Sequence, residues 1–166
     1  MGDMSEQMFQ ALKNCGLRCF LSVPCKNLAG IISYVEKDNE IIYFPVTREE
    51  EGIGIAAGAF LGGQTAVLLM QNSGLGNSIN ALSSLMGYYR MPMILLISQR
   101  GGPGEKIGAQ VPMGRATEDL LKSIHIPFFR YQHREDLSLL NDHVSFAKVA
   151  ETPVALLVSP QFWSST

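Results

Sequence analysis

The sequence predicts a three-layer α/β sandwich, a six-stranded and mainly parallel β-sheet with helices on both faces. Short β-branched or apolar runs alternate along the chain with amphipathic stretches of helical length, which is the pattern of βα units around a parallel sheet. Several of those runs, such as Ala66-Val67-Leu68-Leu69-Met70 and Met93-Ile94-Leu95-Leu96-Ile97, are apolar without alternation, so both of their faces need a covering layer. The length of 166 residues fits one domain with a full core, and a single domain over 1–166 is expected.

Taken in order, helices are expected near Ser5–Asn14, Asn27–Lys37, Glu49–Leu61, Asn77–Tyr88, Ala116–Ser123 and Leu137–Ala150. Strands are expected near Cys19–Val23, Ile41–Phe44, Thr65–Met70, Met93–Ile97, Phe128–Tyr131 and Val154–Val158. No repeat or low-complexity linker divides the chain. From Arg100 to Arg115 it is too glycine-rich for regular structure, and an irregular stretch of that length after a strand is where an open α/β sheet builds its ligand site.

Composition excludes several classes. Hydrophobic residues make up 46% and charged residues 17%, with mean hydropathy +0.12, so extended disorder is excluded and the light charge suggests surface covered by a partner. A formal net charge of −2 with no basic block leaves no nucleic-acid footprint. Cys15, Cys19 and Cys25 are odd in number and contain no CxxC, against a disulfide framework or zinc site. With no signal-like apolar run at the N-terminus and no apolar run long enough for a bilayer, a cytoplasmic protein without a membrane partner is expected.

Four post-strand segments would share one edge of a parallel sheet: 24–27, 47–52, 71–77 and the loop from Arg100. The run Glu49-Glu50-Glu51 opens a helix, where the macrodipole favours carboxylates whatever their role. The stretch that follows, Gly52-Ile53-Gly54-Ile55-Ala56-Ala57-Gly58-Ala59, keeps glycines in a helix at a cost of about 1 kcal/mol each relative to alanine, so something must approach closely. A buried glutamate held against a ligand or a second subunit would suit such a helix.

The turn Asn72-Ser73-Gly74-Leu75-Gly76-Asn77 contains Gly-x-Gly, but Ile79 occupies the third glycine position of the dinucleotide motif and the turn follows the third strand. Backbone N–H groups with the Asn72, Ser73 and Asn77 side chains are expected to line a small polar pocket, although helix capping explains part of this pattern. Lys26, Arg48, Arg100, Lys106 and Arg115 all fall in or beside the four segments and together suggest a small anionic ligand. From loop position, Lys26, Asn27, Arg100 and Gln110 are the candidates for its anionic end. Cys25 reads as a packed free thiol, and His125, His133 and His143 lack metal-ligand spacing.

These residues also carry a resemblance. Thr47-Arg48-Glu49-Glu50-Glu51-Gly52 through Phe60 resembles the glutamate-containing helix start of the pyrimidine-binding (PYR) domain of thiamin diphosphate enzymes. Ser22-Val23-Pro24-Cys25, Gln71 through Leu82, and Arg100 through Arg115 are similar to the sulfopyruvate and phosphonopyruvate decarboxylases, so nearly the whole chain is covered. Phosphonopyruvate enzymes carry a histidine after the glutamine matching Gln110; Val111 stands here, which favours the sulfonate.

The resemblance implies the thiamin diphosphate-binding fold and decarboxylation of sulfopyruvate to sulfoacetaldehyde and CO2 in coenzyme M biosynthesis. A phosphonopyruvate decarboxylase subunit and a non-catalytic nucleotide-binding or regulatory α/β module are the alternatives. It implies that a PYR-domain glutamate bonds N1′ of the cofactor's aminopyrimidine. Spacing to Ala56-Ala57 and Phe60 puts that residue at Glu50, with Glu51 the neighbouring register; Asn72, Ser73, Gly74 and Leu75 would lie near the pyrimidine. The family holds Mg²⁺ and diphosphate with a Gly-Asp-Gly motif, and no Asp here is followed by Gly. The resemblance therefore implies a separate beta subunit that binds diphosphate and Mg²⁺, with self-association of the assembly and a small anionic 2-oxo acid as substrate.

Overall fold

A computed structural model describes residues 3–164 of the chain. Its six strands are β1 (Cys19–Ser22), β2 (Ile42–Pro45), β3 (Ala66–Gln71), β4 (Ile94–Ser98), β5 (Phe128–Tyr131) and β6 (Val154–Val158). All neighbouring pairs run parallel, in the order β2-β1-β3-β4-β6-β5. The three-layer expectation holds, and a fully parallel sheet places every post-strand segment at one edge.

The helices are α1 (Met4–Asn14), α2 (Ala29–Lys37), α3 (Glu49–Leu61), α4 (Leu75–Ala81), α5 (Val111–Ser123), α6 (Leu140–Ala150) and α7 (Pro160–Ser164). Each central strand feeds two cores by alternation. In β3, Val67 and Leu69 join Phe9, Leu12, Ile31, Val144 and Phe162 under α1, α2, α6 and α7. Leu68 and Met70 join Ile53, Ala56, Leu75, Met86 and Leu121 under α3, α4 and α5. Apolar runs without alternation arise because both neighbouring layers are helical.

Several boundaries differ from the expectation. A 3₁₀ turn at Lys26–Leu28 precedes α2, and another at Arg134–Leu139 precedes α6. Helix α4 begins at Leu75 and continues as a π-helical segment over Leu82–Gly87. The irregular stretch after β4 ends at Ile107: a 3₁₀ turn at Gly108–Gln110 leads into α5, which starts at Val111 with Pro112 in its first turn, where proline costs nothing. Position 114 in this helix takes a glycine because a Cβ there would run into the backbone of Arg100 and Gly101. The short α7 had no counterpart in the expected elements.

At the open end of the sheet, edge strand β2 exposes Ile42 and Phe44, and α3 exposes Leu61. With Cys19, Ile55, Gly58, Ala59, Gly62 and Gln64 the two side chains of β2 line an apolar groove of about 440 Å³. None of the candidate site residues lines it.

Candidate active site

The acidic run sends its three carboxylates in three directions. Glu49, the first residue of α3, is turned inward and 8% exposed. It heads the face that buries Gly52, Ile53, Ala56 and Ala57, spacings of three, four, seven and eight that define one side of a helix. Glu50 turns to solvent, its side chain 44% exposed, and pairs with Arg48 at 3.1 Å. Glu51 reaches back to accept from both the N–H and the hydroxyl of Thr47 at 2.9 Å, and these bonds hold its carboxyl below the usual range. Neither register expected for the cofactor-facing glutamate is therefore the inward one.

Glu49 lies against the turn after β3. Residues Asn72–Gly74 form a 3₁₀ turn, and a Cβ on Gly74 would collide with the Glu49 carboxyl group. Asn77 Nδ2, one turn into α4, reaches Glu49 Oε2 at 3.4 Å. That long contact leaves most of the carboxylate's acceptor capacity unspent among the described residues. Of the helix glycines from which a close approach was inferred, Gly52 has a partner, because a Cβ there would meet Leu68 of β3 at 2.8 Å, whereas Gly54 and Gly58 face open space.

Asn72 differs from its expected role. It is fully buried, and its side chain pairs with the backbone of Arg100, accepting from the N–H at 3.2 Å and donating to the carbonyl at 3.0 Å. It also donates to Thr117 Oγ1 at 3.0 Å, which in turn donates to Met113 O. The Asn72 side chain thus extends the β3–β4 pairing by one rung and has no donor left for a ligand. Leu75 is buried in the core, whereas Ser73 stays exposed.

Of the expected anion contacts, Arg100 is already committed. Glu105 takes Arg100 Nε at 2.8 Å and Nη2 at 2.7 Å, and also accepts from the N–H groups of Gly101 and Ile107 at 3.1 and 3.0 Å. The guanidinium first, then those two amides, hold the Glu105 carboxyl down to about 2. Asn27 Nδ2 donates to Ser98 Oγ at 3.2 Å, tying the turn after β1 to the end of β4, while Lys26 is exposed.

Gln110 reaches the edge: its Oε1 accepts from Gln71 Nε2 at 2.8 Å. Gln71 Nε2 also donates to Ser73 Oγ at 2.9 Å, and the Cys25 thiol faces Gln71 Oε1 at 3.8 Å. The structure therefore brings together Glu49, Gly74 and Asn77 in one group and Cys25, Gln71, Ser73 and Gln110 in another, both beside the end of β3. Glu49, Gln71 and Glu105 are absent from the expected site. The stripe Gly52, Ile53, Ala56, Ala57, continued backwards by three and four residues, meets at 49 and is the signal that would have picked Glu49. Among the described residues no group of three or more His, Cys, Asp or Glu could hold a metal ion.

Residues 3–120 match the family model "Thiamine pyrophosphate enzyme, N-terminal TPP binding domain", and the chain belongs to that family. It is 45% identical over 162 residues to the sulfopyruvate decarboxylase subunit alpha of Methanococcus maripaludis, covering 97% of each chain. It is 44% identical over 165 residues to the subunit of the same name from Methanothermobacter thermautotrophicus, covering 97% of this chain and 98% of the relative.

Among solved structures, the thiamine diphosphate-dependent 4-hydroxybenzoylformate decarboxylase of Rhodococcus jostii RHA1 superposes with a TM-score of 0.75 over 99% of this chain, at 18% identity. The present chain spans 31% of that one, and the likeness is one of fold. No described helix is long and apolar enough to cross a membrane.

Proposed function

We propose that this chain is the cofactor-activating subunit of a thiamin diphosphate-dependent decarboxylase that converts sulfopyruvate to sulfoacetaldehyde and CO2, with a second subunit holding the diphosphate and Mg²⁺. The observation that carries the reading is Glu49, a buried carboxylate with unspent acceptor capacity against the bare backbone of Gly74. The names of the full-length relatives support the substrate, and their naming as alpha subunits supports a partner. The single-domain reading of 1–166 belongs to the same proposal, as do a cytoplasmic location, self-association of the assembly and a role in coenzyme M biosynthesis.

The residues present fit the aminopyrimidine half of the cofactor. Glu49 would donate a proton to the ring nitrogen and then, as carboxylate, accept the hydrogen bond from the protonated ring that tautomerisation requires, while Asn77 orients the carboxyl group. Gly74, buried and lacking a side chain, makes the room that the Glu49 carboxyl occupies, and exposed Ser73 adds a hydroxyl. When bound, thiamin diphosphate supplies the electron sink that accepts the pair from the breaking C1–C2 bond; a proton then replaces the lost carboxyl group. Oxygen ligands for Mg²⁺ belong to the partner in this reading, because this chain has no Asp-Gly pair. Gln110, with exposed Lys26 nearby in the edge loops, is the candidate contact for the sulfonate.

The test is co-expression with the candidate beta subunit and assay of sulfopyruvate and phosphonopyruvate with thiamin diphosphate and Mg²⁺. Sulfopyruvate should be the better substrate, and Glu49→Gln should lower kcat by about 100-fold or more, the order expected for loss of a positioned acid–base group. Glu50→Gln and Glu51→Gln should retain most of the activity. Retained activity in Glu49→Gln with loss in Glu50→Gln would move the role back to Glu50, and turnover by the isolated chain would overturn the divided site.

A further inference from the structure

The loop between β4 and α5 has no core of its own. Gly102, Pro103, Gly104, Lys106, Ile107, Gly108 and Ala109 are all exposed, and Gly101 and Gly104 have φ of +82° and +80°. Such a chain has many conformations available and pays ordering entropy to adopt one. What opposes that cost is one carboxylate. Glu105, with its side chain only 8% exposed, accepts four hydrogen bonds, two from the Arg100 guanidinium and one each from the amides of Gly101 and Ile107.

The residues that carry those two amides are also the two that touch the Gln110 backbone. On one side, the Gly101 Cα lies so close to the Gln110 carbonyl that a Cβ would strike it. On the other, Ile107 O accepts the Gln110 N–H at 2.9 Å, closing the 3₁₀ turn that delivers the residue. Arg100 is fixed in its turn by the Asn72 side chain at the end of β3, so the clip is anchored to the sheet.

We propose that Glu105 is a positioning residue for the decarboxylation. By gripping Arg100, Gly101 and Ile107 at once, it fixes the backbone of Gln110 and holds that amide against Gln71 at the carboxyl edge, where the sulfonate of the 2-oxo acid is recognised. The inference rests on the function proposed above. It gives Arg100 a task other than binding the anion: the guanidinium is the counter-charge of the clip, and recognition of the substrate falls to the neutral amide of Gln110.

The co-expressed complex tests this with Glu105→Ala, Gln110→Ala and the double variant, read by steady-state kinetics with sulfopyruvate and by amide hydrogen exchange. Glu105→Ala should raise KM about ten-fold, Gln110→Ala by a similar factor, and the double variant no further than the larger single effect, because the two act as one unit. Exchange should accelerate across residues 101–110 and stay unchanged in β3 and α3. A merely structural role would lower the active fraction and leave KM unaltered, and that result overturns the proposal, as does additivity in the double variant.

If the alanine variant fails to fold, Glu105→Gln serves, since an amide oxygen still accepts from a backbone N–H while the charge is lost; an intermediate rise in KM is expected and none overturns the proposal. A wild-type complex that leaves sulfopyruvate intact overturns the functional reading alone. The exchange pattern then still decides the clip, and protection unchanged in Glu105→Ala removes it.

Discussion

Glu49 and Glu105 stand at the same edge of the sheet and are held in opposite ways. Glu49 is placed by shape, on a helix whose Gly52 presses against β3 and whose carboxylate rests on a residue without a side chain. Glu105 is placed by bonds, four of them, in a loop that has almost no packing. The first has a single long contact from Asn77 among the described residues, and the second has its acceptors filled. In a folded site a carboxylate with unsatisfied acceptors is available for chemistry, and a saturated one is a strut.

The contrast can be broken most severely at Gly74. Gly74→Ala puts a methyl group into the Glu49 carboxyl, and a displacement of about 1 Å at a reacting group costs on the order of 100-fold in rate. Steady-state kinetics of the assembled complex would register it. Activity within a few-fold of wild type would mean that Glu49 is not the group that matters.

The link between the two regions is Asn72. Asn72→Ala strands the N–H and the carbonyl of Arg100, while Thr117 keeps its bond to Met113 O, and leaving such groups unsatisfied costs about 1–3 kcal/mol each. The urea midpoint of the variant should fall accordingly, with kcat lowered as the loop loses its anchor. An unchanged midpoint would show that the rung it adds to β3–β4 is dispensable.

The smallest effect is expected under α6, on the face of the sheet opposite α3. His143 stacks on Phe129 with ring centroids 3.6 Å apart and meets the Tyr131 hydroxyl at 2.9 Å through Nδ1. Burial pushes its pKa below the ordinary 6.5, with Asp142 opposing. The unfolded chain therefore takes up the proton first, so this contribution to stability is complete above about pH 6.5 and declines as pH falls below it. Melting temperatures at pH 5.5 and 7.5 should differ more for wild type than for His143→Gln. The Glu105 clip follows the same sign but a lower window: its contribution is intact above the ordinary glutamate value of 4.5 and is lost only towards about 2. KM should then show no titration of the clip between pH 5 and 8.

The layers were legible because periodicity records burial directly. Runs such as 66–70, 93–97 and 154–158 can exist only between two covering layers, and the strands fell within about one residue of those runs. The start of α5 was hidden because Gly108 and Gly114 imitate a loop, whereas Gly114 is there to let the helix lie on Gly101. The register of the acidic run depended on which of three adjacent positions faces inward, a question of 100° of helix rotation that the resemblance alone placed at Glu50. The commitment of Arg100 to Glu105 was beyond the sequence, because it requires a chain reversal through Gly101 and Gly104 at positive φ. Charges in a loop advertise a ligand and a strut equally well until the backbone decides between them.

The open end of the sheet has a practical side. Strand β2 ends the sheet with an unpaired backbone edge, and Ile42, Phe44 and Leu61 stand in water beside a greasy groove. Edges of that kind recruit other strands indiscriminately. A preparation of this chain by itself therefore carries its own route to precipitation, and Ile42 or Phe44 replaced by lysine is the first variant to make when soluble material runs short.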